Sequence, residues 1–377
     1  MNNADDTPPP EPPPEKVANA RDGILPSQAI ERLIVAGAIG LPAPLATTQL
    51  QPASLDLRLG PVAYRVRASF LPRPGTRVAD KLEELALHRI EFGEGAVLET
   101  GCVYVVPLRE SLALPADISA AANPKSSTGR LDVFTRVIAD GVSAFDQIPS
   151  GYTGPLYAEI CPQTFPIIVR EGSRLTQLRF RRGNPLTDDL SLETLQAEQS
   201  LVSTTAADIA QGIALTVDLS AAEGPVGYRA RRHTSVVDVD AEGACATADY
   251  WEPITLTGSR SLILDPDQFY ILASKEAVHV PPTHAAEMIP FNPLVGEFRV
   301  HYAGFFDPGF GHAETGGAGS RAVLEVRSHK VPFILEDGQI VGRLVYERLT
   351  ESPRLLYGSG LGSHYQAQGL KLSKHFR

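Results

Sequence analysis

Only three cysteines occur in 377 residues, Cys102, Cys161 and Cys245, widely spaced and without a Cys-x-x-Cys pair. An odd number at such spacing argues against a disulfide framework and against a cysteine-built zinc site. It suits a reducing compartment, and a cytoplasmic location is expected. No stretch approaches the roughly 18 to 20 consecutive apolar residues of a membrane span, and the N-terminus lacks the basic-then-apolar order of a secretion signal. Positive charge is also scarce: the formal net charge of −10 leaves no broad basic face for a phosphate backbone. Neither a membrane nor a nucleic acid is expected as a partner, and a polyanionic ligand has to meet a local basic pocket.

What the chain does contain is a normal share of core-forming residues, 43% hydrophobic, at a length that suggests roughly two to three domains. Residues 1–16 are acidic and proline-rich and cannot bury a core, so a disordered extension is expected. The remainder repeats itself. Gly60-Pro-Val-Ala-Tyr-Arg-Val-Arg67 returns as Gly224-Pro-Val-Gly-Tyr-Arg-Ala-Arg231 at a shift of 164 residues. At a shift of 166, Tyr104 matches Tyr270, Glu110 matches Glu276, Pro115 matches Pro281, Glu159 matches Glu325, and Leu178 matches Leu344. A period this long means duplicated domains, since solenoid units run about 20 to 50 residues.

Short apolar or alternating runs bounded by Gly, Pro and Asp mark strands in both copies, among them Val103–Val106, Leu156–Ile160, Ala322–Val326 and Arg343–Tyr346. Many short strands, together with 32 Gly and 31 Pro, predict a mainly β chain of barrel or jelly-roll type with few short helices. One helix is expected early, with Ser27 as N-cap and Ile30, Leu33 and Ile34 on one face. The polar segment Asn184 to Gln211 reads as the connector, giving domains at 17–200 and 201–377.

Lys125-Ser126-Ser127-Thr128-Gly129-Arg130 places a cation, two hydroxyls and a guanidinium in one turn, a set suited to phosphate oxygens and a polar base edge. This turn, the segment Gln51 to Gly60, and the terminal Tyr365-Gln366-Ala367-Gln368-Gly369 resemble the deoxycytidine triphosphate deaminases, relatives of the trimeric deoxyuridine triphosphatases. Ala303 to Phe310 with Ala322-Val323-Leu324-Glu325 looks like that family's Asp-Pro-Gly segment and catalytic-glutamate strand. The resemblance implies two tandem dUTPase-like β-barrel or jelly-roll domains arising by duplication, and a homo-oligomer related to a trimer. It also implies deamination of dCTP to dUTP and ammonia, as a step in dTTP precursor synthesis. The zinc-deaminase signature of His-x-Glu followed by Pro-Cys-x-x-Cys is not present as a whole. The family instead uses a glutamate as general acid and base, with no metal in the chemical step and Mg²⁺ bound with the nucleotide triphosphate.

Glu159 and Glu325 are the candidate acid/base residues, each in an apolar strand where an unpaired carboxylate is costly. Alternation alone could equally turn both to solvent. Ser126 and Arg130 complete the catalytic set implied by the resemblance. Lys125, Ser127, Asp307, Tyr357, Tyr365 and Gln368 join them as nucleotide-binding candidates. The family has arginine where Lys125 stands and lysine where His364 stands. Lys371, Lys374 and Arg377 are read as further phosphate cations, and Arg179, Arg181, Arg182, Arg229, Arg231 and Arg232 as solvated strand ends. The second copy has lost both serines in its Asn292 to Arg299 turn, and the first has an altered turn at Asp146. A complete site therefore needs both halves, with Glu325 preferred to Glu159 as the working base. The alternatives are a dUTP pyrophosphatase and a non-catalytic nucleotide-binding regulator.

Overall fold

The computed structural model describes residues 21–204, 206–220, 224–256, 258, 260–290, 298–301, 304–313, 317–328, 330–358 and 368–377, with 290 and 298–301 as backbone only. The N-terminal extension 1–16, Ala303, Ser363, His364, Tyr365 and most of Asn292 to Arg299 lie outside these residues. The chain is mainly β. Among the described residues there are five helices, α1 (Ser27–Val35), α2 (Val78–Leu85), α3 (Ser126–Gly129), α4 (Asp189–Gln199) and α5 (Thr247–Tyr250).

The main strands of the first half are β1 (Val62–Val66), β2 (Val103–Ala113), β3 (Ile118–Pro124), β4 (Val133–Ala139), β5 (Thr153–Pro162) and β6 (Thr176–Arg182). Those of the second are β7 (Gly227–Ala230), β8 (Phe269–Val278), β9 (His284–Pro290), β10 (Phe298–His301), β11 (Ser320–Ser328) and β12 (Ile340–Arg348). One sheet of the first half runs β1-β2-β5-β4, and the second half repeats it as β7-β8-β11-β10. In the other sheet β3 pairs with β6, and β9 with β12. The duplication read from spacing is therefore a duplication of sheet order.

Period-two burial builds the cores. Along β2, Tyr104, Val106, Leu108 and Leu112 turn into the first core, as Tyr270, Leu272 and Val278 of β8 turn into the second. Polar groups on these faces are satisfied alike in both copies. Tyr104 Oη accepts from the Glu99 amide at 3.1 Å, and Tyr270 Oη from the Asp265 amide at 2.9 Å. Glu110 accepts from the Arg58 amide and Glu276 from the Thr216 amide, each at 2.8 Å. Such bonds are what allow carboxylates to remain on a buried face.

The halves share core. Trp251, Phe269 and Ile271 of the second half belong to the first hydrophobic cluster. Strand residues Val237–Asp238 pair in parallel with Ile167–Ile168. Phe376, one residue from the chain end, packs among Phe165, Tyr250 and Trp251, with ring centroids 5.3 to 6.1 Å apart.

Helix α1 starts differently from the sequence reading. Pro26 takes the N-cap position, with φ −74° and ψ 170°, and Ser27 is the first helical residue. The Ser27 amide is already bonded to Pro52 O at 2.8 Å and its hydroxyl turns to Gln28, so proline's fixed φ rather than a hydroxyl sets the entry. Ile30 is buried and Leu33 and Ile34 pack beside it. Within the expected connector, α4 is capped by Asp188, whose carboxylate accepts from the Ser191 amide at 2.9 Å, and Leu192 enters the second core.

Candidate active site

Between β3 and β4 the Lys125 to Arg130 segment forms the single turn α3. Pro124 precedes it, Lys125 O accepts from the Thr128 and Gly129 amides at 2.8 and 3.0 Å, and Arg130 closes it in right-handed helical conformation. This turn points at the second half. A Cβ on Gly129 would lie 2.7 Å from Cδ of Glu325, so only glycine lets the turn approach the carboxylate so closely. Gly304 likewise faces Ser126, where a Cβ would lie 3.1 Å from Oγ.

These elements enclose a small cavity of about 60 Å³. Ser126 and Arg130 line it from the first half, and Phe305, Asp307, Glu325, Tyr357 and Gln368 from the second. The Arg130 guanidinium is fixed by Gln368 Oε1 at 3.1 Å and Lys371 O at 2.9 Å. Gln368 also donates to Arg321 O at 3.1 Å, so the chain end clamps α3 against β11. The Tyr357 ring packs on Phe310 at 5.5 Å.

Glu325 is 4% exposed, and its Oε2 has no hydrogen-bond partner among the described residues. Burial pushes its pKa well above the ordinary glutamate range; Arg130 pulls against this and Asp132 adds to it. Across the cavity Asp307 is pushed up to about 6 by burial, with Arg179 opposing. A buried carboxyl group with a raised pKa, beside a hydroxyl and a guanidinium, can move protons on a bound ligand.

Glu159 occupies the same register as Glu325. It lies opposite Val105 and Arg136 on its neighbouring strands, as Glu325 lies opposite Ile271 and His301. Its surroundings differ. Arg136 pairs with the Glu159 carboxylate, its Nε at 3.1 Å, and the guanidinium covers the Phe145 ring at 3.7 Å. Both glutamates are buried, at 3% and 4% exposure, so alternation turns neither to solvent.

Several other candidates stand apart from the cavity. The Lys125 ammonium pairs with buried Asp56, which also has Arg174 at 3.5 Å. Ser127 is buried and its carbonyl accepts from Ser373 Oγ at 2.8 Å. Lys374 pairs with Glu242 at 2.8 Å rather than turning to the cavity. Arg179 is no solvated strand end: it is 0% exposed. It bonds Ala286 O and Phe306 O at 3.0 and 3.2 Å, pairs with Asp307 and Glu347, and lies 4.0 Å from the Phe305 ring centroid. It thus fixes the cavity wall from the first half. Nothing in local pattern separates Arg179 from Arg182, because what buries it belongs to the other copy. Among the described residues, no group of three or more His, Cys, Asp or Glu side chains gathers where one metal ion could bind them, and no helix is long and apolar enough to cross a membrane.

Fold and site together define a duplicated β-barrel protein with a cavity lined by charged, polar and aromatic side chains at the junction of its repeats. Family models named 2'-deoxycytidine 5'-triphosphate deaminase match it twice, the N-terminal domain over residues 21–184 and the C-terminal domain over 188–376. The chain belongs to the 2'-deoxycytidine 5'-triphosphate deaminase family. A crystal structure of 2'-deoxycytidine 5'-triphosphate deaminase from Agrobacterium tumefaciens is 62% identical, with a TM-score of 0.84, covering 87% of this chain and 99% of that one. A dCTP deaminase of Halorubrum lacusprofundi is 30% identical over 134 residues, 35% of this chain and 63% of that protein. A dCTP deaminase of Haloarcula marismortui is 31% identical over 137 residues, 35% of this chain and 66% of that protein. The match thus spans less than two thirds of either of those two relatives. A dUMP-forming dCTP deaminase of Corynebacterium glutamicum strain R is 29% identical over 167 residues, 43% of this chain and 82% of that protein.

Proposed function

We propose that this chain converts dCTP and water to dUTP and ammonia, with Glu325 as general acid and base and no metal in the chemical step. The observation that carries the reading is the Glu325 carboxylate, buried at a cavity with Ser126 and Arg130 and with one oxygen unpartnered among the described residues. In this reading Glu325 takes a proton from water as the oxygen adds to C4 of cytosine, and passes it to N3. A second proton, from the added hydroxyl, goes through the same carboxyl group to the amine, which leaves as ammonia while the C4 carbonyl forms. Ser126 orients the water and the oxygen at C4, and Arg130, already fixed by Gln368 and Lys371, stabilises negative charge that develops there. Asp307 and Tyr357 contact the nucleoside, and Lys125 with the segment around Tyr365 serves the triphosphate. Mg²⁺ enters with that triphosphate as part of the substrate. The same reading makes the protein a homo-oligomer related to a trimer, by the family resemblance, and cytoplasmic, by its few unpaired cysteines, supplying dUTP toward dTTP.

A second reading follows from the relatives named as dUMP-forming: dUTP is cleaved further to dUMP. Purified protein incubated with dCTP and Mg²⁺, with dCTP, dUTP, dUMP and ammonia quantified, tests both. Equimolar dUTP and ammonia is the expected result, whereas dUMP in place of dUTP supports the second reading. Absence of ammonia overturns both, and dUMP formed only from supplied dUTP points to a pyrophosphatase.

A further inference from the structure

Glu325 and Arg327 are two residues apart on β11, so their side chains leave the same face of the strand. An arginine so placed has the reach to pair with the glutamate. The structure sends it elsewhere. Arg327 pairs with Asp132 of the first half, donates to Thr164 Oγ1 at 2.9 Å and to Asp267 O at 2.8 Å. Thr164 in turn donates to Asp132 Oδ2 at 2.6 Å. Asp132 is 1% exposed and has φ 57°, so the turn leaving Arg130 is bent into the left-handed region to aim this carboxylate.

The repeat provides the comparison. In the first half an arginine of the neighbouring strand, Arg136, reaches the equivalent glutamate and pairs with it, whereas His301 holds that register position beside Glu325. In the second half Arg130, at the cavity with Glu325, is held by Gln368 and Lys371, and Arg327, two residues along the strand, by Asp132, Thr164 and Asp267. Among the described residues the other titratable groups around Glu325 are Asp132 itself, whose charge raises the pKa of Glu325, and Asp307 and Tyr357 across the cavity. Neighbouring β8 sets Ile271 beside it, and β10 sets His301 in register with it.

We propose that Asp132 is a positioning residue for the reaction: by holding Arg327 it keeps that guanidinium off Glu325 and leaves the glutamate free to exchange protons with the substrate. The inference rests on Glu325 being the working acid and base. A buried ion pair is weak evidence for stability; what this one does is hold the Arg327 guanidinium at Asp132.

The test is a double-mutant cycle read through the pH dependence of kcat/KM. Asp132→Asn is the first variant, because asparagine tolerates the left-handed backbone best among non-glycine replacements. Arg327, released from its carboxylate, then turns to Glu325. The acid midpoint is expected to fall by about one pH unit and the plateau by about tenfold. In Asp132→Asn/Arg327→Met the cation is gone, and most of both changes should revert. If Asp132 acted only through its own charge, the double variant would keep the single variant's midpoint; if it acted only as a structural prop, the double variant would be at least as impaired as the single. Either result overturns the proposal, as does an unmoved profile in Asp132→Asn. Should Asp132→Asn not fold alone, the double variant is compared with Arg327→Met: a midpoint lower by only a small part of the expected shift, the direct effect of Asp132's own charge, supports the proposal, and a drop of about one pH unit overturns it. Glu325→Gln is assayed alongside. If it stays active, the reading of Glu325 fails first; if it is inactive while the Asp132→Asn profile is unmoved, only the present inference fails.

Discussion

Gly129 of the first half lies against Glu325 of the second so closely that a Cβ at 129 would sit 2.7 Å from the glutamate's Cδ. The proposed acid and the turn that carries Ser126 and Arg130 are thus fitted to each other across the repeat junction. Gly129→Ala must push the carboxylate or the turn aside. Its helical backbone accepts alanine, so the fold should survive, while a displacement of about 1 Å at a reacting group costs about 10²-fold in turnover. Steady-state kinetics beside a thermal melt check this: near-normal Tm with a large loss in kcat is expected, and unchanged kcat removes the fit as a functional feature.

The two repeat-equivalent glutamates should separate cleanly. Glu325→Gln is expected to abolish deamination because an amide cannot relay protons. Glu159→Gln should retain it and lose about 1 to 3 kcal/mol of stability through its weakened partnership with Arg136. A stability signature accompanies Glu325. Its pKa is raised in the folded chain, so the folded state holds the extra proton between the ordinary glutamate value and the raised one. That contribution is fully present below the ordinary glutamate range and is lost as pH rises through the raised value. Glutamine does not ionise, so the Tm of Glu325→Gln relative to wild type should be higher at about pH 8 than at about pH 5. A pH-independent difference in Tm would contradict the buried-carboxylate account.

Deleting residues 370–377 should damage more than a lid. Phe376 completes the aromatic cluster with Phe165, Tyr250 and Trp251, Ser373 holds Ser127 O, and Lys371 O fixes Arg130. The truncated protein is expected to lose both thermal stability and turnover. A variant with wild-type Tm and a raised KM alone would instead describe a detachable cover.

Strand positions, duplication and the polar turn at Lys125 to Arg130 were set by local chemistry, namely period-two burial, turn residues and a repeat of 166 residues, all carried by the chain as written. Those signals survive in sequence because each depends on neighbours a few positions away. Local pattern marked Ser126 and Arg130 as polar groups of one turn and Glu325 as a carboxylate in an apolar strand, but their grouping as a site came from the family resemblance, since 195 residues separate Arg130 from Glu325 and no spacing rule relates them. What tertiary structure decided is which charges meet. Lys125 turned to Asp56, Arg179 was buried against Asp307 and Glu347, Lys374 went to Glu242, and Arg327 crossed to Asp132. In sequence every one of these is a polar residue on a strand or turn, free by local criteria to face water. The partner that fixes it comes from a distant segment, and for Arg179 and Arg327 from the other repeat. Glu159 and Glu325 differ for a reason of both kinds: strand pairing and burial are closely alike, but Arg136 stands beside Glu159 and pairs with it where His301 stands beside Glu325, and Arg327, two residues along the strand, is taken by Asp132 of the other repeat.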